Sequence, residues 1–259
     1  MPLIKKTILT LLNEPMQLDI FEKTESTNDY LRKLTKENTT RRACIADMQT
    51  NGKGQLNRSW HSPAKENIYF SLLYPTKKTI NELSGLSLVV GLATSRAIEN
   101  TLKTDHQFLV KWPNDILYNQ QKIAGILIET QTDNSGLLQI IIGVGINVNM
   151  QEANEADINQ PWSSLQKITG QHIDRNTLCA ALINHLLNYL DRFFQAGLMN
   201  LMDEWQKKDC LFGEPLEVVS RNAHYTGIGV GINTQGHLLL RMEDNTVRAC
   251  SSGDTTLRK

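Results

Sequence analysis

The sequence predicts an α+β fold: a mixed, largely antiparallel sheet with helices on one face, followed by a small β-barrel of SH3-like appearance. Three observations predict it. Apolar runs of strand length outnumber the long helical patterns and come as hairpins. Two segments, 80–101 and 176–195, have helical texture, the first with Leu83, Leu86, Val90, Ala93 and Ala97 at spacings of three and four. From Gly213 the texture changes to four short strands separated by Asn, Gly and Asp turns, with no room for a long helix. This shift divides the chain into residues 1–212 and 213–259, the second near the lower size limit and expected to lean on the first.

The elements follow in order. The opening MPLIKKTILTLLNEP sets two lysines before an apolar stretch that Thr10 breaks and Asn13, Glu14 and Pro15 stop; it is too short and too polar for a signal peptide. Residues 18–22 read as a short strand. Ser26 is placed to cap a helix running to about Lys36, with Tyr30, Leu31 and Leu34 on one face. ACIADM (43–48) reads as a strand. QTNGKGQLNRSW (49–60) breaks every period, holds two glycines and two cations, and reads as a mobile loop. NIYFSLLYP (67–75) is an apolar strand ended by Pro75, and QFLVKWP (107–113) one that Pro113 ends or leaves at an edge. DILYNQQKIAGILIET (115–130) reads as a hairpin turning at Asn119-Gln120-Gln121, and LLQIIIGVGINVNM (137–150) as a buried strand. Helices are expected at 176–195 and 198–209, set apart by Gly197. PLEVVS, YTGIGVGIN, HLLLRM and TVRACS are the four last strands.

Composition narrows the function. The 259 residues carry 27 basic and 27 acidic side chains, so no net charge drives nonspecific nucleic-acid binding. The four cysteines, Cys44, Cys179, Cys210 and Cys250, are scattered, with no CxxC, and the six histidines show no HxxxH. That argues against a structural zinc and for buried thiols in a reducing compartment. The longest apolar-rich region, LSGLSLVVGLATSRAI, is interrupted by Ser, Gly, Thr and Arg and does not span a bilayer. A cytoplasmic protein with no membrane partner is expected. GxxxxGK[ST] and GxSxG are absent, and no helix follows GVGIN, which removes the P-loop, nucleophile-elbow and dinucleotide readings.

What remains is cationic and glycine-rich. GKGQLNR (52–58) offers bare backbone N–H groups with Lys53 and Arg58, suited to wrapping an anion; alone, it reads more readily as a solvated hairpin tip. Lys111 and Lys122 lie across one hairpin region and can converge on one anion. Asp115 can hold a divalent cation or a water, and Asn114 a base edge or a phosphate oxygen. The plainer reading is a surface ion pair from Asp115 to a lysine, with Asn114 as a turn former and Trp112 in the core.

The combination is more specific than its parts. KWPNDILYNQQKIAGILIET (111–130) followed by IIIGVGINVN (140–149) closely resembles the catalytic core of the biotin protein ligases. ESTNDYL (25–31) resembles the family's S-T-N helix start, and QTNGKGQLNRSWHSP (49–63) its glycine-rich loop. NQPWSSL and DRNTL match later segments, and GHLLLRM with SSGDTTLR resembles the C-terminal barrel. The likeness covers about residues 18–258.

The resemblance implies a class II synthetase-like catalytic domain with biotin and ATP as substrates and Mg²⁺ as the accompanying ion. Biotin would be activated as biotinyl-AMP and passed to a lysine of a biotin carboxyl carrier protein, a carboxylase subunit. It implies that Lys122 touches both the biotin carboxylate and the α-phosphate, with Lys111, Lys53 and Arg58 adding positive potential. Asn114 and Asp115 would position phosphates or metal, and Asn147 and Trp162 would meet adenine. Ser26, Thr27, Asn28 and Gln49 would hydrogen-bond the ureido ring. Gly125, Gly143 and Gly145 would let the backbone approach, while Gly52, Lys53, Gly54 and Gln55 order over biotin and keep water from the anhydride.

Two departures stand out: Gln55 where members often carry Arg, and Asn57 where many carry Gly. Both predict a leakier intermediate. Only 25 residues precede Ser26, too few for the DNA-binding domain of repressor members, so no DNA partner is expected. Exposed strands such as 137–148 offer edges for pairing into a homodimer. A lipoate-type ligase and a non-catalytic biotin sensor are the rival readings.

Overall fold

Alternating apolar residues in the strands decide which face of the main sheet is buried. The computed structural model describes residues 2–35, 40–154, 157–220, 223–252 and 255–258. Seven strands, β1 (Gln17–Phe21), β2 (Arg42–Ala46), β3 (Ile68–Thr76), β4 (Leu109–Lys111), β5 (Asp115–Tyr118), β6 (Gln121–Thr132) and β7 (Leu138–Ile146), form one sheet in the order β1-β2-β3-β7-β6-β5-β4. Only β1 and β2 run parallel; every other pair is antiparallel. One face carries Ile45, Phe70, Ile142 and Val144 into the main core.

Among the described residues, six α-helices accompany the sheet: α1 (Lys5–Thr10), α2 (Thr27–Leu34), α3 (Leu86–Leu102), α4 (Leu165–Thr169), α5 (Arg175–Ala196) and α6 (Met202–Lys208). The long helices α3 and α5 pack together over the core face, as expected, and α1 joins them through buried Ile8. The short α2 lies on the opposite face, where Leu31 meets Cys44, Leu73 and Ile141. That placement leaves the remainder of this second face open for a site. Ser26 caps α2 by accepting from the Asp29 N–H at 3.3 Å. The helix stops at Leu34 with Thr35 as its C-cap, short of the expected end at Lys36, which itself lies outside the described residues.

Several expectations need correction. The helix anticipated from residue 80 begins at Leu86; residues 80–83 form one tight turn, and Gly85 at φ +83 breaks the path between them. Pro75 does not end β3, which pairs with β7 through Thr76. Pairing with β2 stops at Leu73, so Pro75 sits where β3 has a single neighbour and proline is tolerated. Residues 138–146 offer no edge, because β7 lies between β3 and β6. Beyond Gly125, where pairing with β5 stops, it is β6 that is open along one side. The hairpin between β5 and β6 turns at Asn119 and Gln120, whose φ values of +47 and +64 make a two-residue mirror-image turn.

The C-terminal residues form a second, antiparallel sheet of five strands rather than four: β8 (Pro215–Ser220), β9 (Ala223–Ile232), β10 (Leu238–Arg241), β11 (Val247–Cys250) and β12 (Thr255–Arg258), ordered β11-β10-β9-β8-β12. The extra strand is the TTLR of the terminal motif, whose Gly253 and Asp254 lie outside the described residues. This SH3-like unit leans on the main sheet at a functional place. Buried Trp112 donates its indole N–H to the Gly236 carbonyl at 3.0 Å. A Cβ on Gly236 would lie 2.7 Å from the Gly85 Cα, so only glycine permits this approach.

Candidate active site

Strand register gathers the charged residues. Lys111 of β4 faces Asp115 of β5, Asp115 faces Gly125 of β6, Gly125 faces Gly145 of β7, and Gly145 faces Tyr69 of β3. The next row runs Leu127, Gly143, Ser71 and Cys44. Residues paired across a sheet share one face, so both rows look out on the side that α2 covers in part. Three glycines in these rows leave a trough without side chains. A cavity of about 450 Å³ lies above it.

The trough is floored by backbone because large side chains lie on it. A Cβ on Gly145 would sit 2.5 Å from the Trp60 indole, and one on Gly143 2.5 Å from Asn28 Oδ1. Trp60 belongs to the 49–60 segment, which folds back as a hairpin: Trp60 N–H donates to the Gly52 carbonyl at 2.9 Å and Gly54 N–H to the Arg58 carbonyl at 2.7 Å. The tip, Gln55–Asn57, is a single tight turn, with Leu56 exposed at φ +55. Lys53, Gly54, Gln55 and Arg58 line the cavity. Gly52 does not; it packs beneath, where a Cβ would meet the Trp60 carbonyl oxygen at 2.6 Å.

Lys122 is the enclosed cation of the site. Its side chain is 15% exposed, and Nζ lies 2.7 Å from Asp115 Oδ1 and 5.2 Å from the Trp60 ring centroid. The ion pair meets the expectation of an Asp115–lysine bridge, but it stands within the cavity rather than on the surface. Asp115 Oδ1 has no partner at hydrogen-bond angles, so the ammonium is held by charge and not by an aligned bond. Lys111 also lines the cavity, whereas Lys53 Nζ is drawn to Asp29 at 2.7 Å.

At the other end the polar groups interlock. Gln49 Oε1 accepts from the Thr27 N–H at 2.9 Å, which turns Gln49 Nε2 toward Ser62 Oγ at 3.3 Å. Ser71 Oγ lies 2.5 Å from Asn28 Oδ1 and 2.7 Å from Thr27 Oγ1. Ser26, Thr27, Asn28 and Ser71 are all buried.

Two expected ligand residues are partly spent on structure. Asn114 Nδ2 donates to the Ile126 carbonyl at 2.8 Å, tying the turn after Pro113 to β6. Asn147 Nδ2 donates to the Ser163 carbonyl at 3.1 Å. Both still line the cavity, as does Trp162, whose ring carries Lys167 Nζ at 4.4 Å. The backbone of residues 161–163 pairs with Lys122, bringing Trp162 beside it. Burial pushes the Cys44, Cys179 and Cys250 thiols up, which suits packing rather than nucleophilic attack.

A family model described as the biotin/lipoate A/B protein ligase family matches residues 20–147. The chain is 37% identical over 234 residues to the bifunctional ligase/repressor BirA of Escherichia coli (strain K12), covering 90% of this chain and 72% of that one. The chain belongs to the biotin/lipoate A/B protein ligase family. Another member, the biotin–[acetyl-CoA-carboxylase] ligase of Paracoccus denitrificans, is 28% identical over 223 residues, covering 85% of this chain and 92% of that one. The solved biotin protein ligase from Aquifex aeolicus in complex with biotin and ATP superposes at a TM-score of 0.82 and 30% identity, covering 94% of this chain and 99% of that one.

Within this ligase family fold, sequence reasoning missed Trp60 and Ser71. A signal existed for the first: glycine at alternate positions on one strand, Gly143 and Gly145, means that something bulky lies on that face.

Proposed function

We propose that the chain is an ATP-dependent biotin protein ligase. The observation that carries this reading is the position of Lys122. In strand order it stands between Lys111 on β4 and the Thr27–Ser71 cluster over β7 and β3, above a floor of glycine. A biotin ring held by the polar cluster would direct its carboxylate toward that ammonium, and phosphates held near Lys111 would meet it there. Two anions react only where fixed positive charge offsets their repulsion.

In the first half-reaction a biotin carboxylate oxygen bonds to the α-phosphorus while the bond from that phosphorus to the bridging oxygen breaks, and pyrophosphate leaves. In the second, the amine of an acceptor lysine attacks the acyl carbon. The C–N bond forms, the amine loses its proton, and AMP leaves with the electrons of the C–O bond. Both nucleophiles come from substrates, so buried cysteines are no obstacle. The residues of the chain bind, orient and exclude water. The acceptor in this reading is a biotin carboxyl carrier protein, a carboxylase subunit. The cytoplasm suits the protein, since Cys44, Cys179 and Cys250 are buried as thiols.

Magnesium would accompany ATP. Among the described residues no group of three or more His, Cys, Asp or Glu side chains forms a metal site. Asp115 alone fits an ion that arrives with nucleotide and keeps phosphate and water as its other ligands. Such an ion would neutralise phosphate charge.

The test is pyrophosphate release with biotin or lipoate as the acid, followed by mass spectrometry of a carrier domain incubated with protein, biotin and MgATP. Biotin is expected to support release and to add one biotinyl group to the carrier. Release with lipoate alone would assign the rival ligase, and biotin binding without release would assign a sensor.

Gln55 lines the cavity at the hairpin tip. Its Arg replacement adds a charge-assisted donor, worth about 1 kcal/mol over a neutral one. Gln55→Arg is expected to release free biotinyl-AMP about fivefold more slowly than wild type in a single-turnover assay. Equal release from both would retire the leaky-loop reading.

A further inference from the structure

We propose that Glu129 is a positioning residue: it sets the hydrogen-bond direction of the Thr27–Asn28 end of the cavity, so that this end accepts from N–H groups of the substrate ring. This rests on the biotin reading above. Glu129 lies on β6 opposite Ile141, on the face that α2 covers. Its carboxylate pairs with Arg32 of α2, and Arg32 also meets Asp29 at 3.3 Å. The same carboxylate lies 2.8 Å from Asn28 Nδ2.

Direction then passes along the chain of contacts. An ionised carboxylate only accepts, so the NH₂ end of Asn28 is the end that faces it. Asn28 Oδ1 therefore faces Ser71, 2.5 Å from the hydroxyl oxygen. Oδ1 carries no proton, so Ser71 must donate to it. Ser71 has one hydroxyl proton, and at 2.7 Å from Thr27 Oγ1 the proton between them must come from Thr27. The alternative, with Thr27 donating to Gln49 Oε1, spans 3.2 Å against 2.7 Å to Ser71. It would also leave two oxygens 2.5 Å apart with no proton between them, or leave Thr27 and Ser71 likewise.

The result is a one-way chain from Thr27 through Ser71 and Asn28 to Glu129. Thr27 has given away its proton and presents lone pairs, and Asn28 presents its carbonyl oxygen. Gln49 has Oε1 fixed by the Thr27 N–H, which leaves Nε2 as a donor. A ureido ring offers N–H donors beside one carbonyl acceptor, and this arrangement is its complement. Gly143 beneath Asn28 makes the arrangement fit, since any Cβ there would strike Oδ1. Without Glu129 the Asn28 amide is free to turn over, and the direction of the chain is no longer set.

The test compares biotin with its two cyclic carbamate analogues, in each of which a ring oxygen replaces one ureido N–H. Affinities are measured by titration calorimetry for wild type, Glu129→Gln and Glu129→Leu. Wild type is expected to bind at least one carbamate about 100-fold more weakly than biotin, because a buried acceptor then faces a lone pair. That ratio is expected to shrink about tenfold in Glu129→Leu and less in Glu129→Gln, which keeps one acceptor oxygen. The KM for ATP should not follow the ratio. An identical ratio in all three proteins, or no discrimination by wild type, overturns the role of Glu129 whatever the absolute affinities. Where the Leu variant does not fold, the Gln variant alone decides. Wild type that fails to bind biotin at all removes the biotin reading instead.

Discussion

Replacing Lys122 with Ala is expected to slow pyrophosphate formation from biotin and ATP by about 100- to 1,000-fold, roughly 3 kcal/mol or more of lost transition-state stabilisation. Two unit charges 4 Å apart repel by about 4 kcal/mol at the effective dielectric of a partly buried site. Lys122 is placed to offset such a term, at 15% exposure beside the glycine floor. Its present partner, Asp115, lies within 2.7 Å but off hydrogen-bond angles, so an incoming anion competes with a pair that is not locked. Lys122→Arg is expected to recover little. A planar fork needs room, and a Cβ on Gly125 would already lie 3.3 Å from Nζ and 2.8 Å from the Trp60 ring. Binding of biotin alone is expected to change only a few-fold, since the Thr27–Ser71 cluster is untouched. Stopped-flow pyrophosphate release with a thermal melt as the folding control checks this. A folded Lys122→Ala protein working within threefold of wild type would end the electrostatic account of the site.

How much of this was legible in the sequence depends on how far apart the partners are along the chain. Lys111, Asp115 and Gly125 fall within one strand–turn–strand segment and pair directly across it, so their nearness was legible locally; Lys122 joins their face only through a register shift between Ile116 and Leu117, which the sequence does not show. The C-terminal sheet was legible because turn residues punctuate it, although its last strand went uncounted. The opposite holds for Arg32 and Glu129, 97 residues apart, and for Arg175 and Asp47, 128 apart. These pairs depend on where α2 and α5 dock on the sheet, and no local pattern encodes that. Strand order is equally hidden: β7 inserts between β3 and β6, which is why residues 138–146 looked like an edge and are not one. The start of α3 was misplaced for a different reason: apolar spacing runs on through residues 80–85, and the left-handed Gly85 leaves no mark in that spacing.

The largest loss of stability is expected from Arg175→Ala. Arg175, at the start of α5, is buried to 1% exposure; its Nη1 meets Asp47 Oδ1 at 2.7 Å and donates to the Asn67 carbonyl at 3.1 Å. Asp47 immediately follows β2 and Asn67 immediately precedes β3, so one guanidinium holds both ends of the segment that carries the ligand hairpin. Removing it strands a buried carboxylate, which costs about 3–5 kcal/mol. Against a total of roughly 5–15 kcal/mol that is a large share, and a melting temperature lower by on the order of 10 °C should follow. The cost comes from the abandoned charge more than from a lost attraction, and this can be separated. The double variant Arg175→Met with Asp47→Leu removes both charges at similar volume and is expected to regain most of the stability. If the double variant melts as low as Arg175→Ala, the tie to the Asn67 carbonyl, and not the stranded carboxylate, is what holds the base of the hairpin segment.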